Sequence, residues 1–453
     1  MRAYLCFGVL LLAVLVSCGQ AATKSKVKYI PINLEDNPPP KKILCYYNHE
    51  AYKREGKGKV ATEELRPALT TCTHLVYAYA GISNSDYHIK SLDKELDTDK
   101  NKGHELFKQV TALKTSYPDL NIILGVGGFE DQKDKEKYLD LLDKPKDRQK
   151  FIETTVQFLK QYGFTGVDLA WEFPVVKEKK ESTLGSLWSG IKHTITGPKD
   201  ENPTLHKDHF TLLIREMKAA LRPDKYLLGL SVLPHVNYTE YFDMPSITQH
   251  VDLITLHAYD FRTPQRNYED ADYSAPLYFA HGRQEHQNAN YMVKWFIDHG
   301  AELNKLILAI PTYGRTWVIN KDTSRTGIPP LKVEGPGEKG PLVQEEGLLS
   351  YGEICSQLAS LTDANASPTT LRRVPDTQKR MGTYAFRLPN KQLKQEYGIW
   401  VSYEDPETVG VKAAYAKQNG LAGVAMVDLS LDDFKGNCGE KYVLVKSAKH
   451  HLK

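Results

Sequence analysis

The 453-residue chain has little of what would mark it as a membrane, nucleic-acid or thiolate-metal protein. Beyond the first 22 residues no apolar run approaches the roughly 18 residues needed for a membrane span, so no membrane insertion is expected. The formal net charge is only +3, and basic runs such as Lys177-Glu178-Lys179-Lys180 are interleaved with acids, which argues against a nucleic-acid partner. No two cysteines stand in a C-x-x-C spacing. Gly127-Gly128 does not extend to the G-x-G-x-x-G that opens a dinucleotide-binding helix. No cofactor and no metal are therefore expected. Internal repeats and low-complexity tracts are missing too. What remains, 25% charged and 41% hydrophobic residues, is the balance of a soluble globular protein.

Residues 1–22 read as a secretory signal: Arg2 gives the positive end, 10–16 the apolar stretch, and Gly19-Gln20-Ala21 a small-x-small cleavage site. Residues 23–42 form a polar lead-in containing Pro38-Pro39-Pro40. Cleavage of the signal leaves Cys45, Cys72, Cys355 and Cys438, an even set that allows three pairings. Cys45 and Cys72 open the first two strand-like runs, which neighbour each other in a parallel sheet, so 45–72 with 355–438 is the economical pairing. Asn237-Tyr238-Thr239 and Asn365-Ala366-Ser367 are glycosylation acceptors, the second followed directly by Pro368.

Short apolar runs recur at 43–47, 74–80, 121–126, 167–173, 226–233, 251–259, 306–311 and 421–429. Several are near-continuous, the pattern of strands buried on both faces. Helical spacing lies between them, as in Phe151-Ile152 with Val156 and Phe158-Leu159, in 210–221 stopped by Arg222-Pro223, and in 292–299 ended by Gly300. Eight strand–helix alternations predict an α/β fold, a (β/α)8 barrel spanning 43–312 and 394–453. A small α+β subdomain at 313–393 is expected as an insertion after strand seven. A second long connection, 173–209, carries Trp188 and Ile191 among dense Lys and Glu, and is expected to be a partner-binding surface.

A barrel of this kind places its ligand site at the C-terminal ends of its strands. Falling there are Gly125-Val126-Gly127-Gly128, Glu172, Tyr259-Asp260 and Val427-Asp428, with Trp400 shortly before the last helix. Sugar rings stack on aromatic faces and hydrogen-bond to carboxylates, so this gathering predicts a carbohydrate cleft lined by Glu172, Tyr259, Asp260 and Trp400. In the strand 164–174 the period of two puts Asp168, Ala170 and Glu172 on one face. Asp168 also reads as a hydrogen-bonded core acid, and Tyr259 with Asp260 as strand-end structure.

Five further motifs stand along the chain: Cys45-Tyr46-Tyr47, Cys72-Thr73-His74-Leu75-Val76-Tyr77-Ala78, Gly166-Val167-Asp168-Leu169, Asp405-Pro406-Glu407 and Ala425-Met426-Val427-Asp428. By these the chain resembles glycoside hydrolase family 18, and within it the arthropod imaginal disc growth factors. The family pattern D-G-x-D-x-D-x-E is met at Gly166, Asp168 and Glu172, but Thr165 replaces its first Asp and Ala170 its third. The resemblance implies a substrate-assisted hydrolysis in which the acetamido oxygen attacks and the terminal Glu protonates the leaving oxygen. The Asp at position 170 would hold that acetamide and offset its charge; Ala170 does neither. By the same resemblance Val427 stands where a Trp floors the reacting subsite, and Gly125 where a Ser is usual. The implied protein is a secreted, non-catalytic growth factor that promotes cell proliferation through a cell-surface receptor or an extracellular glycan such as a chitin oligosaccharide, with Asp168, Ala170 and Glu172 vestigial. A chitin-oligosaccharide lectin and a weakly active chitinase are the alternatives.

Overall fold

The computed structural model describes residues 40–131, 133–134, 136–176, 199–319, 327–358, 370–390 and 397–453. The chain falls into Met1–Pro40 and one compact unit, Lys41–Lys453. The expected signal, the lead-in up to residue 39, Asn365, Trp188 and Ile191 lie outside the described residues.

Eight parallel strands close on themselves. They are β1 (Lys42–Asn48), β2 (His74–Ile82), β3 (Asn121–Gly127), β4 (Gly166–Ala170), β5 (Leu227–Val232), β6 (Leu253–Leu256), β7 (Leu306–Pro311) and β8 (Gly423–Val427). Each of the eight apolar runs supplies one strand, and β1 pairs with both β2 and β8. Alternate side chains enter two cores. Leu44, Tyr46, Val76, Ile123, Ile307, Ala309 and Ala425 fill the barrel. Cys45, Tyr47, Leu75, Leu169, Leu308 and Met426 face the helices. Burying one such large apolar side chain stabilises by about 1.5–3 kcal/mol, which is why both faces of these strands read as hydrophobic.

The helices follow from local signals. Pro145–Tyr162 begins with a proline and ends at Gly163, whose φ of 82° suits glycine. Pro203–Leu221 buries His206, Phe210, Leu213, Ile214, Met217 and Leu221 on one stripe.

The insertion after β7 is a five-stranded antiparallel sheet ordered Leu348–Ser350, Tyr313–Ile319, Gly398–Tyr403, Thr383–Arg387 and Arg372–Val374. Its boundary corrects the sequence expectation, because Gly398–Tyr403 pairs along its whole length with Tyr313–Ile319 and belongs to the insertion rather than to the barrel's last part. Both expected disulfides are present. Cys45–Cys72 joins β1 to the turn just ahead of β2, and Cys355–Cys438 ties the insertion to the segment after β8, with Cα–Cα distances of 5.9 and 6.1 Å.

Candidate carbohydrate site at the barrel mouth

Asp168 points into the barrel from β4 and is nearly completely buried. Its Oδ2 accepts from Ser231 Oγ at 2.6 Å and from Tyr46 OH at 3.5 Å. Tyr46 and Ser231 also hydrogen-bond to each other at 2.9 Å. Burial pushes the Asp168 carboxyl up to about 6, and the bonds from Ser231 and Tyr46 offset this only in part. His257 continues the chain, with Nε2 3.3 Å from Ser231 Oγ and Nδ1 2.6 Å from Tyr259 OH. Burial lowers His257 to about 3, so it is neutral at physiological pH. The consistent assignment has the Tyr259 hydroxyl donating to Nδ1 and Nε2–H donating to Ser231.

Asp260, at a positive φ of 55°, forms a second centre. Arg315 grips its carboxylate with Nε on Oδ1 at 2.9 Å and Nη2 on Oδ2 at 2.6 Å, and Tyr313 OH donates to Oδ2 at 2.8 Å. Burial alone would raise the Asp260 pKa, but the Arg315 charge and these hydrogen bonds outweigh it and leave the group below its ordinary value. Its backbone carbonyl accepts from His235 Nε2 at 2.7 Å and Arg266 Nη2 at 2.6 Å. Tyr259 and Asp260 thus stand just after β6, both nearly buried and with their polar groups engaged.

Glu172 is half-buried just beyond β4, and its carboxylate acts electrostatically on Arg266 and Tyr138. Its neighbour Trp171 is buried and stacked on Tyr138 at 4.9 Å. Ala170 has no exposed surface, and the neighbouring Gly127 sits against its carbonyl at a φ of 120°. Gly125 has a physical reason to lack a side chain, since a Cβ there would lie 2.7 Å from Tyr79 Cδ1. Tyr79 and Val427 both pack, partly buried, on the barrel's inner core. The ring of Tyr79 therefore occupies the space a serine at 125 would need.

Trp400 corrects the expected ligand set. It is completely buried in the insertion, stacked on Tyr384 at 5.5 Å and beside Trp317 at 5.7 Å, with Nε1 donating to Gly327 O at 2.9 Å. Its face and its N–H are both used up in the core of that sheet. Tyr46, Tyr79, Ser231, His257, Arg266, Tyr313 and Arg315 join the site without having been singled out. The one usable signal was Tyr313-Gly314-Arg315, whose alternation directly after β7 puts both polar side chains on one face.

The closed (β/α)8 barrel carries acids, tyrosines and an arginine at its strand ends, and the chain belongs to the glycosyl hydrolases family 18, whose pattern spans residues 42–432. Within that family it is closely related to the insect imaginal disc growth factors. It is 47% identical to chitinase-like protein EN03 of Bombyx mori, over 91% of this chain and 95% of that one. It is 41% identical to imaginal disk growth factor 6 of Drosophila melanogaster, over 91% and 94% of the two chains. Among solved structures, a mutant of catalytic domain 2 of the Ostrinia furnacalis Group II chitinase, in complex with the oligosaccharide (NAG)5, superposes with a TM-score of 0.73. That pair shares 28% identity over 91% of this chain and 96% of that one.

Proposed function

We propose that this protein is a secreted, non-hydrolytic chitinase-like growth factor that promotes cell proliferation and morphogenesis in an arthropod, acting through a cell-surface receptor or an extracellular glycan. The observation that carries the non-hydrolytic part is Ala170, a fully buried methyl group where the family's acetamide-orienting carboxylate stands. Preorganised groups of that kind are each worth about 10²–10³ in rate. Val427 removes the indole floor as well, so a lone Glu172 has no oriented nucleophile to work with. Secretion is supported by the signal-like 1–22, by two disulfides, and by the exposed Asn237, whose Oδ1 accepts from Thr239 Oγ1 at 2.8 Å in the sequon.

A second reading, a lectin for chitin oligosaccharides, is favoured by the intact Asp260–Arg315–Tyr313 cluster and by the relative solved with (NAG)5. The two readings separate in one experiment: chitotetraose binding by calorimetry and proliferation of cultured insect cells, both on the wild type and on Arg315→Met. Proliferation lost together with sugar binding supports growth signalling through a glycan. Proliferation kept while sugar binding is lost supports a protein receptor. Sugar binding with no effect on cells supports the lectin.

A further inference from the structure

We propose that the N-terminal face of the barrel, opposite its mouth, is a docking surface for a sulfated extracellular polysaccharide. The strands β1, β8, β7, β6 and β5 stand side by side in that order, so the segments leading into them form one continuous arc. Cations crowd this arc. Lys41 precedes β1 and Lys42 begins it. Lys417 lies in the last turn of the helix Pro406–Gln418, which leads to β8, and Lys305 directly precedes β7. Arg215 and Lys218 lie in the last two turns of Pro203–Leu221, Arg222 follows as its cap, and Lys225 stands two residues before β5. The acids nearby are mostly taken. Asp252 pairs with Lys218 at 2.6 Å, Glu302 with Lys305 at 3.0 Å, Asp224 with Lys160 at 2.8 Å and Glu216 with Arg148 at 3.2 Å. Lys41, Lys42, Arg215, Arg222, Lys225 and Lys417 form no salt bridge among the described residues. Asp252 also attracts Lys42, and Asp298, ending the helix Ala289–Asp298, offsets one further charge. The whole chain has a formal net charge of only +3, so the remaining surplus is a local concentration.

The cations of the arc act on one another. Burial and the charges of Lys42 and Lys417 push the Lys41 ammonium below its ordinary value, and burial with Arg215, Arg222 and Lys305 lowers His250, just before β6. Several are also held in place. Lys41 Nζ donates to Leu421 O and Lys305 Nζ to Thr248 O, each at 2.6 Å, and Lys417 Nζ donates to the backbone oxygen of Lys453. Basic side chains at helix C-termini complement the helix dipole, which accounts for Arg215, Lys218 and Lys417. It does not account for Lys41 and Lys42, which head a strand. A polyanion laid along the arc relieves the mutual repulsion and releases counterions, and its oxyanions accept charge-assisted hydrogen bonds from ammonium and guanidinium groups. A bilayer fits less well, because surface binding there also buries apolar side chains. Of the large apolar side chains exposed among the described residues, Leu303 alone lies in these segments. Docking here leaves the mouth, at the other end of the strands, open. The inference takes from the proposed function only that the protein is secreted.

The test uses the full secreted chain with heparin as the probe, titrated by calorimetry at low and at physiological ionic strength. Wild type should bind, with an affinity that falls steeply as NaCl is added. Arg215→Gln/Arg222→Gln/Lys417→Gln, at three exposed positions, should weaken binding at least ~10-fold and flatten the salt dependence. Lys57→Gln/Lys339→Gln/Lys379→Gln removes the same charge from exposed positions in the loop after β1 and in the insertion, and should bind like wild type. Chitotetraose should not compete. Should the first triple variant fail to fold, lysine acetylation of wild type read by mass spectrometry decides: heparin should protect Lys225 and Lys417 and leave Lys57 and Lys379 reactive. No binding at physiological ionic strength, equal weakening in the two triple variants, competition by chitotetraose, or protection spread evenly over the chain overturns the proposal. Tighter binding to phosphatidylserine vesicles than to heparin overturns the choice of a polysaccharide.

Discussion

At the residue scale, Asp168 is the centre of a buried polar network. With Ala170 two residues on, its carboxylate has no second acid beside it on β4, and it organises Ser231 and Tyr46, and through Ser231 also His257. Burial holds its pKa at about 6, against about 3.9 in an unfolded chain. Between these values the folded protein keeps a proton that the unfolded chain has released. Stability therefore falls as pH rises, starting near pH 4 and levelling off above pH 6, by about 3 kcal/mol from this group. Asp168→Asn removes the titration and keeps an acceptor for Ser231. Urea midpoints measured from pH 4 to 7 should fall less steeply for this variant than for wild type, and parallel curves would show that Asp168 is not the titrating group. Gly125 and Tyr79 make the same point about substitutions acting in sets: with the ring against that glycine, serine cannot return alone.

The elements of the barrel were readable in the sequence because each buried strand is a short apolar run and the long helices show apolar spacing with proline or glycine at their ends, as in Pro145–Tyr162 with Gly163. The insertion was harder. Gly398–Tyr403 is a good strand by its alternation, but its partner Tyr313–Ile319 lies some eighty residues earlier, and only the pairing shows that Trp400 faces a closed core. The same limit hid Tyr46, Ser231 and His257, each of which reads alone as an ordinary strand residue and acquires a role only where the barrel brings them together. The Cys355–Cys438 bridge closes an 83-residue separation. Cys355→Ser/Cys438→Ser should lower unfolding stability by ~2–5 kcal/mol, read as a reduced denaturant midpoint. An unchanged midpoint would mean that the insertion stays docked without the bridge.

The connection between Val175–Val176 and Lys199–Asp200 is closed at its two ends by the parallel pairing of those two short strands. Replacing 177–198 with a short Gly/Ser linker keeps that closure and changes loop entropy only slowly with length. The variant should keep its circular dichroism spectrum and thermal midpoint while losing proliferative activity. Full activity in a folded variant would move attention to the barrel mouth or the inserted sheet.

At the scale of the whole molecule, the family's barrel is complete, and the proposed loss of hydrolysis rests on two positions at its mouth. Asp260 is held by Arg315 and Glu172 lies just beyond β4, while in the proposed reading Ala170 and Val427 stand where an active enzyme would carry its acetamide clamp and aromatic floor. Restoring one group should not restore the unit, since groups that act together contribute non-additively. Ala170→Asp would also place a second carboxyl in a buried strand beside Asp168. The most direct measurement is turnover of fluorogenic chitobioside and chitotrioside by wild type and Ala170→Asp, with chitotetraose binding measured on the same preparations. The expected result is no hydrolysis above background by either protein, with sugar binding retained by wild type; wild-type turnover of ~1 s⁻¹ or more, within the ordinary enzyme range, would contradict it.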